Sequence, residues 1–387
     1  MVVAAGVRLA TWSTRWRARL SGEAVIRPTL LLTCAVTLLT VSAAVADTAV
    51  VKVYNWSDYI DPEILSGFED ETGIRVIYDV FDSNYTLETE LLAGNSGYDV
   101  VVPSGAFLAR QRLAGVFQAL DKRLLPNLRY MSAEFMTQIR RWDPGNRHGV
   151  PYLWGTTGLG YNARQIAQRD AAAPTNSWRM LFDPAVVSKF ADCGVYVLDE
   201  PDEVIPAVLS FIGENPDSQD PDVIGRAEPV LMAIRPYLRG FHNSEQIQAL
   251  AGGDICLAMG WSGDMLQARA RSLEAGNEAE IRYAIPKEGA LMWIDMMAIP
   301  ADAPNPEHAH RFIDYVMRPD VIAAISNHVF YANANAAAWP HLDAGLIAEP
   351  GVHPSDEVRA SLYVASPYPP EVQEFVSHLW ARVRAAR

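Results

Sequence analysis

The chain has 387 residues, 50% hydrophobic and 20% charged, a balance that excludes a disordered protein and suggests two or more domains. Its formal net charge of −14 argues against a nucleic-acid partner and for cationic ones.

The first 46 residues differ from the rest. Arg8, Arg15, Arg17, Arg19 and Arg27 precede an apolar run over 30–45, and the segment ends Ala44-Val45-Ala46. This pattern predicts a secretory signal peptide over 1–46, cleaved between Ala46 and Asp47, and a periplasmic protein. The run is short for a spanning helix and is interrupted by Thr33, Thr37, Thr40 and Ser42. Thr33 is too large for the usual residue before a lipidated cysteine, which argues against Cys34 as an anchor. Removing five arginines and Glu23 takes the formal charge from −14 to −18. Cys193 and Cys256 then remain, an even number in an exported chain, so a disulfide is expected, with two buried free thiols as the alternative. Neither has a Cys or His at ligand spacing, so no metal and no cofactor are expected.

From Ala49 strands and helices alternate. Strand "AVVKVYNW" leads to a helix with Asp61 as N-cap, Pro62 at its first position, Ile64, Leu65 and Phe68 on one face, and Gly73 at its end. Strand "GIRVIYDVF", helix "YTLETELLAG", strand "YDVVVPSG" and a helix starting near Ala106 follow. The βαβαβ order predicts an α/β fold with a parallel-rich sheet and helices on both faces, its ligands bound beyond the carboxyl ends of the strands. Trp56 to Tyr59 and Ser104 fall at such ends.

A second α/β block is read in "CGVYVLDEPDEVIPAVLSFIG" and "GDICLAMGWSGDMLQARARSLEAG". Two lobes with a cleft are therefore expected, joined near "GVPYLWGTTGLGYN" and "IRYAIPKEGA". The expected division is 47–152 and 275–318 for the first lobe, 153–274 and 319–387 for the second.

Enzyme motifs are weak. "GLGYNA" matches a dinucleotide fingerprint but lies in an extended apolar stretch, where strand packing explains its glycines. "GWSGD" lacks the Ser-x-Gly order of a nucleophile elbow. His308 and His310 lie two apart on a helix, so a solvated helix accounts for them better than a metal.

Acids beside aromatics recur instead: Trp56-Ser57-Asp58-Tyr59, Trp261 with Asp264, and Trp293 with Asp295, plus Glu200 and Glu203 in "LDEPDEV". Asp295 is the sharpest, because it interrupts "LMWIDMMAIP", where an unpaired carboxylate is costly to bury; an arginine is one way to satisfy it. Aromatic faces attract ammonium groups and cover methylenes, while carboxylates accept charge-assisted hydrogen bonds, so the set suits an organic polycation.

Six segments, "VYNWSDYI", "YDVVVPSG", "PYLWGTTGLGYN", "GDICLAMGWSGD", "RYAIPKEGALMWID" and "HVFYANAN", agree in order and spacing with one family. From about Val50 to the C-terminus the chain closely resembles the periplasmic polyamine-binding proteins of ABC importers, the putrescine and spermidine receptors. The resemblance implies a two-lobed type II periplasmic binding protein that closes on one ligand, is usually monomeric, and hands its ligand to a membrane permease.

Carried over by position, the resemblance implies an aromatic box of Trp56, Tyr59, Trp261, Trp293 and Tyr331. Asp264 and Asp295 would hold one terminal amine, Ser57, Asp58 and Ser104 would lie near the other end, and Glu203 would meet an amine from the second lobe. It also implies a bridge between Cys193 and Cys256. Trp293 and the acid Glu200 look like the spermidine receptors, whereas Asp58 and Ala106 look like the putrescine receptors; the expectation is spermidine over putrescine. Two other classes stay open: a secreted hydrolase using Asp264 and Asp295 as acid and base, for which no motif fixes a nucleophile, and a polyamine sensor component.

Overall fold

The computed structural model describes residues 49–277 and 279–386. The predicted signal peptide and its cleavage site lie outside the described residues. Among the described residues no helix is long and apolar enough to cross a membrane.

The organising element is one long strand. β4 (Gly149–Asn162) has 14 residues, every one buried, and it belongs to two wings of a single sheet. Its first half pairs antiparallel with β9 (Met292–Ala298) and β10 (Ala332–Asn333). Its second half pairs antiparallel with β7 (Leu257–Trp261) and β8 (Ile281–Ala284).

Each wing then continues into a parallel group. In the first, β1 (Val50–Trp56) lies between β2 (Arg75–Phe81) and β3 (Val100–Val101), and β3 joins β9. In the second, β5 (Val195–Val197) lies between β7 and β6 (Gly240–Phe241). The sheet is mixed rather than parallel-rich: the outer groups are parallel as expected, but β4 with the strands paired to it, and β3 with β9, run antiparallel, a direction that apolar alternation does not encode.

Local chemistry sets the element ends. Asp61 accepts from the Glu63 amide at 2.9 Å and Pro62 opens the helix Pro62–Thr72, where its missing N–H costs nothing. Gly73 closes it in the left-handed region at φ 71°, with its N–H returned to the Glu69 carbonyl. Phe68 is the fully buried residue of that helix, packed edge-on against Phe312 at 5.3 Å; burying one such ring contributes about 1.5–3 kcal/mol.

Helices from distant stretches cover both wings. Those at Pro306–Val316 and Pro319–Val329 contact each other, the first also packing on β1 and the second on the helix Pro62–Thr72, which places them in the first wing. Helix Pro370–Ala385 packs on Pro201–Phe211 and Ala227–Ile234 in the second. Cys193 and Cys256 are disulfide-bonded, with Cα atoms 5.5 Å apart, and tie the turn before β5 to the start of β7.

The glycines of "GLGYNA" are strand glycines. A Cβ at Gly160 would fall 1.9 Å from the Met265 sulfur, so this close strand-to-helix contact accepts hydrogen alone. The helix bearing His308 and His310 is solvated on one face, at Glu307 and Arg311, but His310 lies on the other: it is buried, bonded through Nδ1 to the Pro306 carbonyl at 2.6 Å and through Nε2 to the Asp121 amide at 2.9 Å. His308 bonds the Val50 carbonyl at 2.7 Å. Both are structural links, made by long-range partners that local sequence does not reveal.

Candidate binding site

The carboxyl ends of β1, β2 and β7, the stretch after β3 and the amino end of β9 converge on the midpoint of β4, where the wings meet. Gly155 pairs with Trp293 there and Thr157 with Trp261. A cavity with about 470 Å³ of space unfilled by protein, mouth included, opens at this junction.

Six rings wall it, Phe81 among them. Trp56 meets Trp261 across the wings at 5.4 Å and 72°, Tyr59 meets Tyr331 at 5.0 Å and 75°, and Tyr331 meets Trp293 at 5.4 Å and 63°. These edge-to-face contacts set the rings' orientations against one another. The Trp56 indole N–H donates to the Val102 carbonyl at 3.0 Å and that of Trp261 to Glu203 at 3.0 Å, so both rings are fixed. Glycines make room for two of the others: a Cβ at Gly155 would lie 2.7 Å from the Trp293 ring, and one at Gly263 2.4 Å from that of Tyr331.

Asp264, Asp295 and Glu203 lie beside these rings in the lining. Asp295 accepts from the Tyr59 hydroxyl at 2.8 Å and the Ser104 hydroxyl at 2.6 Å. Asp264 accepts from the Tyr331 hydroxyl at 2.6 Å, and Glu203 from Thr157 as well as Trp261. Among the described residues no Arg, Lys or His lies within ion-pair distance of the three, so the arginine considered for Asp295 is replaced by two hydroxyls. Burial pushes all three acids up to about 7, opposed by those hydrogen bonds. The site thus holds three acids without an ion-pair partner among the described residues; Arg271, paired with Asp58, acts on Asp264 from beyond ion-pair distance.

Eleven of the twelve residues singled out from sequence line this cavity. Ser104, expected beside Ser57 and Asp58, instead bonds Asp295 directly. Ser57 is tied to the Phe81 carbonyl through its amide at 3.1 Å. Asp58 lies in the turn at φ 52° and its carboxylate is paired with Arg271 at 2.6 Å, so its charge is already met from the opposite wing.

Glu200 is the exception. It is not a lining residue; its carboxylate is buried and accepts from Asn243 Nδ2 at 3.0 Å, with burial and then Glu203 raising its pKa well above normal. Sequence reasoning missed Phe81, Asp82, Ser244 and Ile247 in the lining. Phe81 ends β2 and Asp82 follows it, so both were accessible to the strand-end rule; Ser244 and Ile247 carried no signal.

The sequence profile of the bacterial extracellular solute-binding proteins matches residues 63–348. The chain belongs to this family. Among similar members, a putrescine-binding periplasmic protein of Pseudomonas aeruginosa is 46% identical over 89% of this chain and 94% of its own length. A second, from Escherichia coli, is 44% identical over 92% and 97%. A solved spermidine/putrescine ABC transporter substrate-binding protein of Streptococcus pneumoniae superposes with a TM-score of 0.71 at 26% identity, covering 87% of this chain and 98% of that one. This solute-binding protein therefore has the two-lobed type II architecture, and its named relatives are binding proteins of transporters rather than enzymes.

Proposed function

We propose that this solute-binding protein captures a polyamine in the periplasm and delivers it to the membrane components of an ABC importer, with a short diamine of the putrescine type preferred over spermidine. The observation that carries the reading is the cavity of six aromatic rings and three carboxylates that lack an ion-pair partner among the described residues. A diammonium ligand supplies the missing charge at its two ends and apolar methylenes between the rings.

The expectation of spermidine rested on Trp293 and Glu200. Glu200 is held by Asn243 away from the lining, which removes the proposed partner of a third amine. Relatives named for putrescine, at 46% and 44% identity, favour the diamine too. We assign residues 49–152 and the stretch from β9 through β10 to the first lobe, and the rest to the second; the packing of Pro319–Val329 on Pro62–Thr72 supports moving that helix out of the second lobe, where the boundary at 319 had put it. The chain acts as a monomer, with 1–46 removed on export.

Calorimetric titration of refolded mature protein with putrescine, cadaverine, spermidine and spermine tests the reading. The expected result is submicromolar putrescine binding, about −8 to −10 kcal/mol, weaker spermidine binding, and an unchanged ratio in Glu200→Gln. Silence with all four amines overturns polyamine capture. Tighter spermidine binding that Glu200→Gln abolishes restores the longer ligand.

A further inference from the structure

A second contact between the lobes lies outside the ligand cavity. From the first lobe come Tyr85 and Glu88 on the helix Asn84–Ala93, and Phe107 and Arg110 on Gly105–Leu113. From the second come Asp202, in the first turn of Pro201–Phe211, and Gln373, on Pro370–Ala385.

Arg110 joins them. Glu88 grips its guanidinium at both Nε (2.6 Å) and Nη2 (2.5 Å), and the group lies 3.8 Å from the Phe107 ring centroid, so it is fixed on the first lobe. Its remaining nitrogen, Nη1, reaches across to Gln373 Oε1 at 2.7 Å and lies 3.7 Å from Asp202 Oδ2. Gln373 returns a bond to the Tyr85 hydroxyl at 3.0 Å.

Apart from Arg110, Asp202 is supported by the Tyr85 hydroxyl and the Gln373 side chain, which oppose the rise that burial imposes on its pKa. Its Oδ1 is buried with no hydrogen-bond partner, and Arg110 is the described cation within ion-pair distance. Asp202 also directly precedes Glu203, so the acid facing the ligand and the acid facing Arg110 sit in one helical turn and move as one body.

We propose that Arg110 is a positioning residue for ligand capture, a clasp that stabilises the closed lobes by neutralising Asp202 when closure brings Glu203 onto the ligand. When the lobes part, Asp202 and Gln373 return to water while Arg110 keeps Glu88. The electrostatic cost of losing Arg110 therefore falls on the closed state, where a buried carboxylate would be left unpaired. Because the clasp forms after the ligand has entered, that cost emerges in the dissociation rate.

The inference rests on the polyamine reading, and stopped-flow binding of putrescine separates the two. Failure of the unaltered protein to bind overturns the polyamine reading. If it binds, Arg110→Met is expected to raise the dissociation rate roughly tenfold or more with an unchanged association rate. Adding Asp202→Asn to Arg110→Met is expected to recover most of the loss, since an amide needs no cation; a merely structural arginine gives no such rescue. Asp202→Asn alone serves should Arg110→Met fail to fold, with an expected dissociation rate less dependent on ionic strength than that of the unaltered protein. An unchanged dissociation rate in Arg110→Met, no rescue in the double variant, or an unaltered salt dependence in Asp202→Asn overturns the clasp.

Discussion

Asp295 shows what a single residue discloses. It breaks an apolar strand, and a carboxylate there is tolerated only with strong compensation, which Tyr59 and Ser104 give in part. Asp295→Asn is expected to weaken putrescine binding by about 2–5 kcal/mol, the cost of truncating one partner of a buried charge pair. The same variant, ligand-free, is expected to melt at a higher temperature near neutral pH, because an unbalanced buried charge is gone. Titration calorimetry and a thermal melt on one preparation check both, and equal affinity would remove Asp295 from the site. Glu200 shows the limit at this scale. Glu200 and Glu203 share one short acidic stretch, yet Glu203 faces the cavity and Glu200 faces Asn243. Sequence adjacency does not fix orientation at a helix start; partners from other segments do.

Elements were legible where capping and periodicity agreed. The helix start at Asp61-Pro62 and the stop at Gly73 follow from local hydrogen bonding alone. Strand direction was not legible, because an apolar alternation reads the same both ways, and β9 proved antiparallel to both of its neighbours. The disulfide belongs to this scale as well, since it pins the start of β7, the strand that ends in Trp261, across a sequence separation of 63. Cys256→Ser is expected to cost about 4 kcal/mol of stability in the chain-entropy model. Putrescine affinity at 15 °C should be retained, because neither sulfur lines the cavity. Urea unfolding followed by fluorescence, beside calorimetry, measures the two effects separately.

Across the whole molecule, the three buried acids couple pH, stability and binding. Their pKa values of about 7 in the fold exceed the ordinary carboxylate range near 4, so the folded chain holds protons that the unfolded chain releases. Their contribution to stability is fully present below about 4 and is lost as the pH rises through about 7. The ligand-free protein is therefore expected to melt lower at pH 7.5 than at pH 5.5 in matched ionic strength. A polycation needs the ionised acids, so putrescine affinity is expected to rise from pH 5.5 to 7.5, with protons released on binding. Calorimetry in two buffers of different ionisation enthalpy counts those protons. Affinity that falls over this range would show that the acids do not hold the ligand's charge.

The sequence by itself determined the α/β class, the pairing of acids with aromatics and the kind of ligand such a set attracts. These depend on local periodicity, residue chemistry and the high cost of burying charge, all of which act within a few residues. Only the tertiary structure decided that β4 runs through both wings, that Arg271 already pairs with Asp58, that Glu200 stands outside the cavity and that Arg110 reaches Gln373 on the helix Pro370–Ala385. Those outcomes depend on contacts between segments up to 263 residues apart, where packing fixes which partner each charge meets.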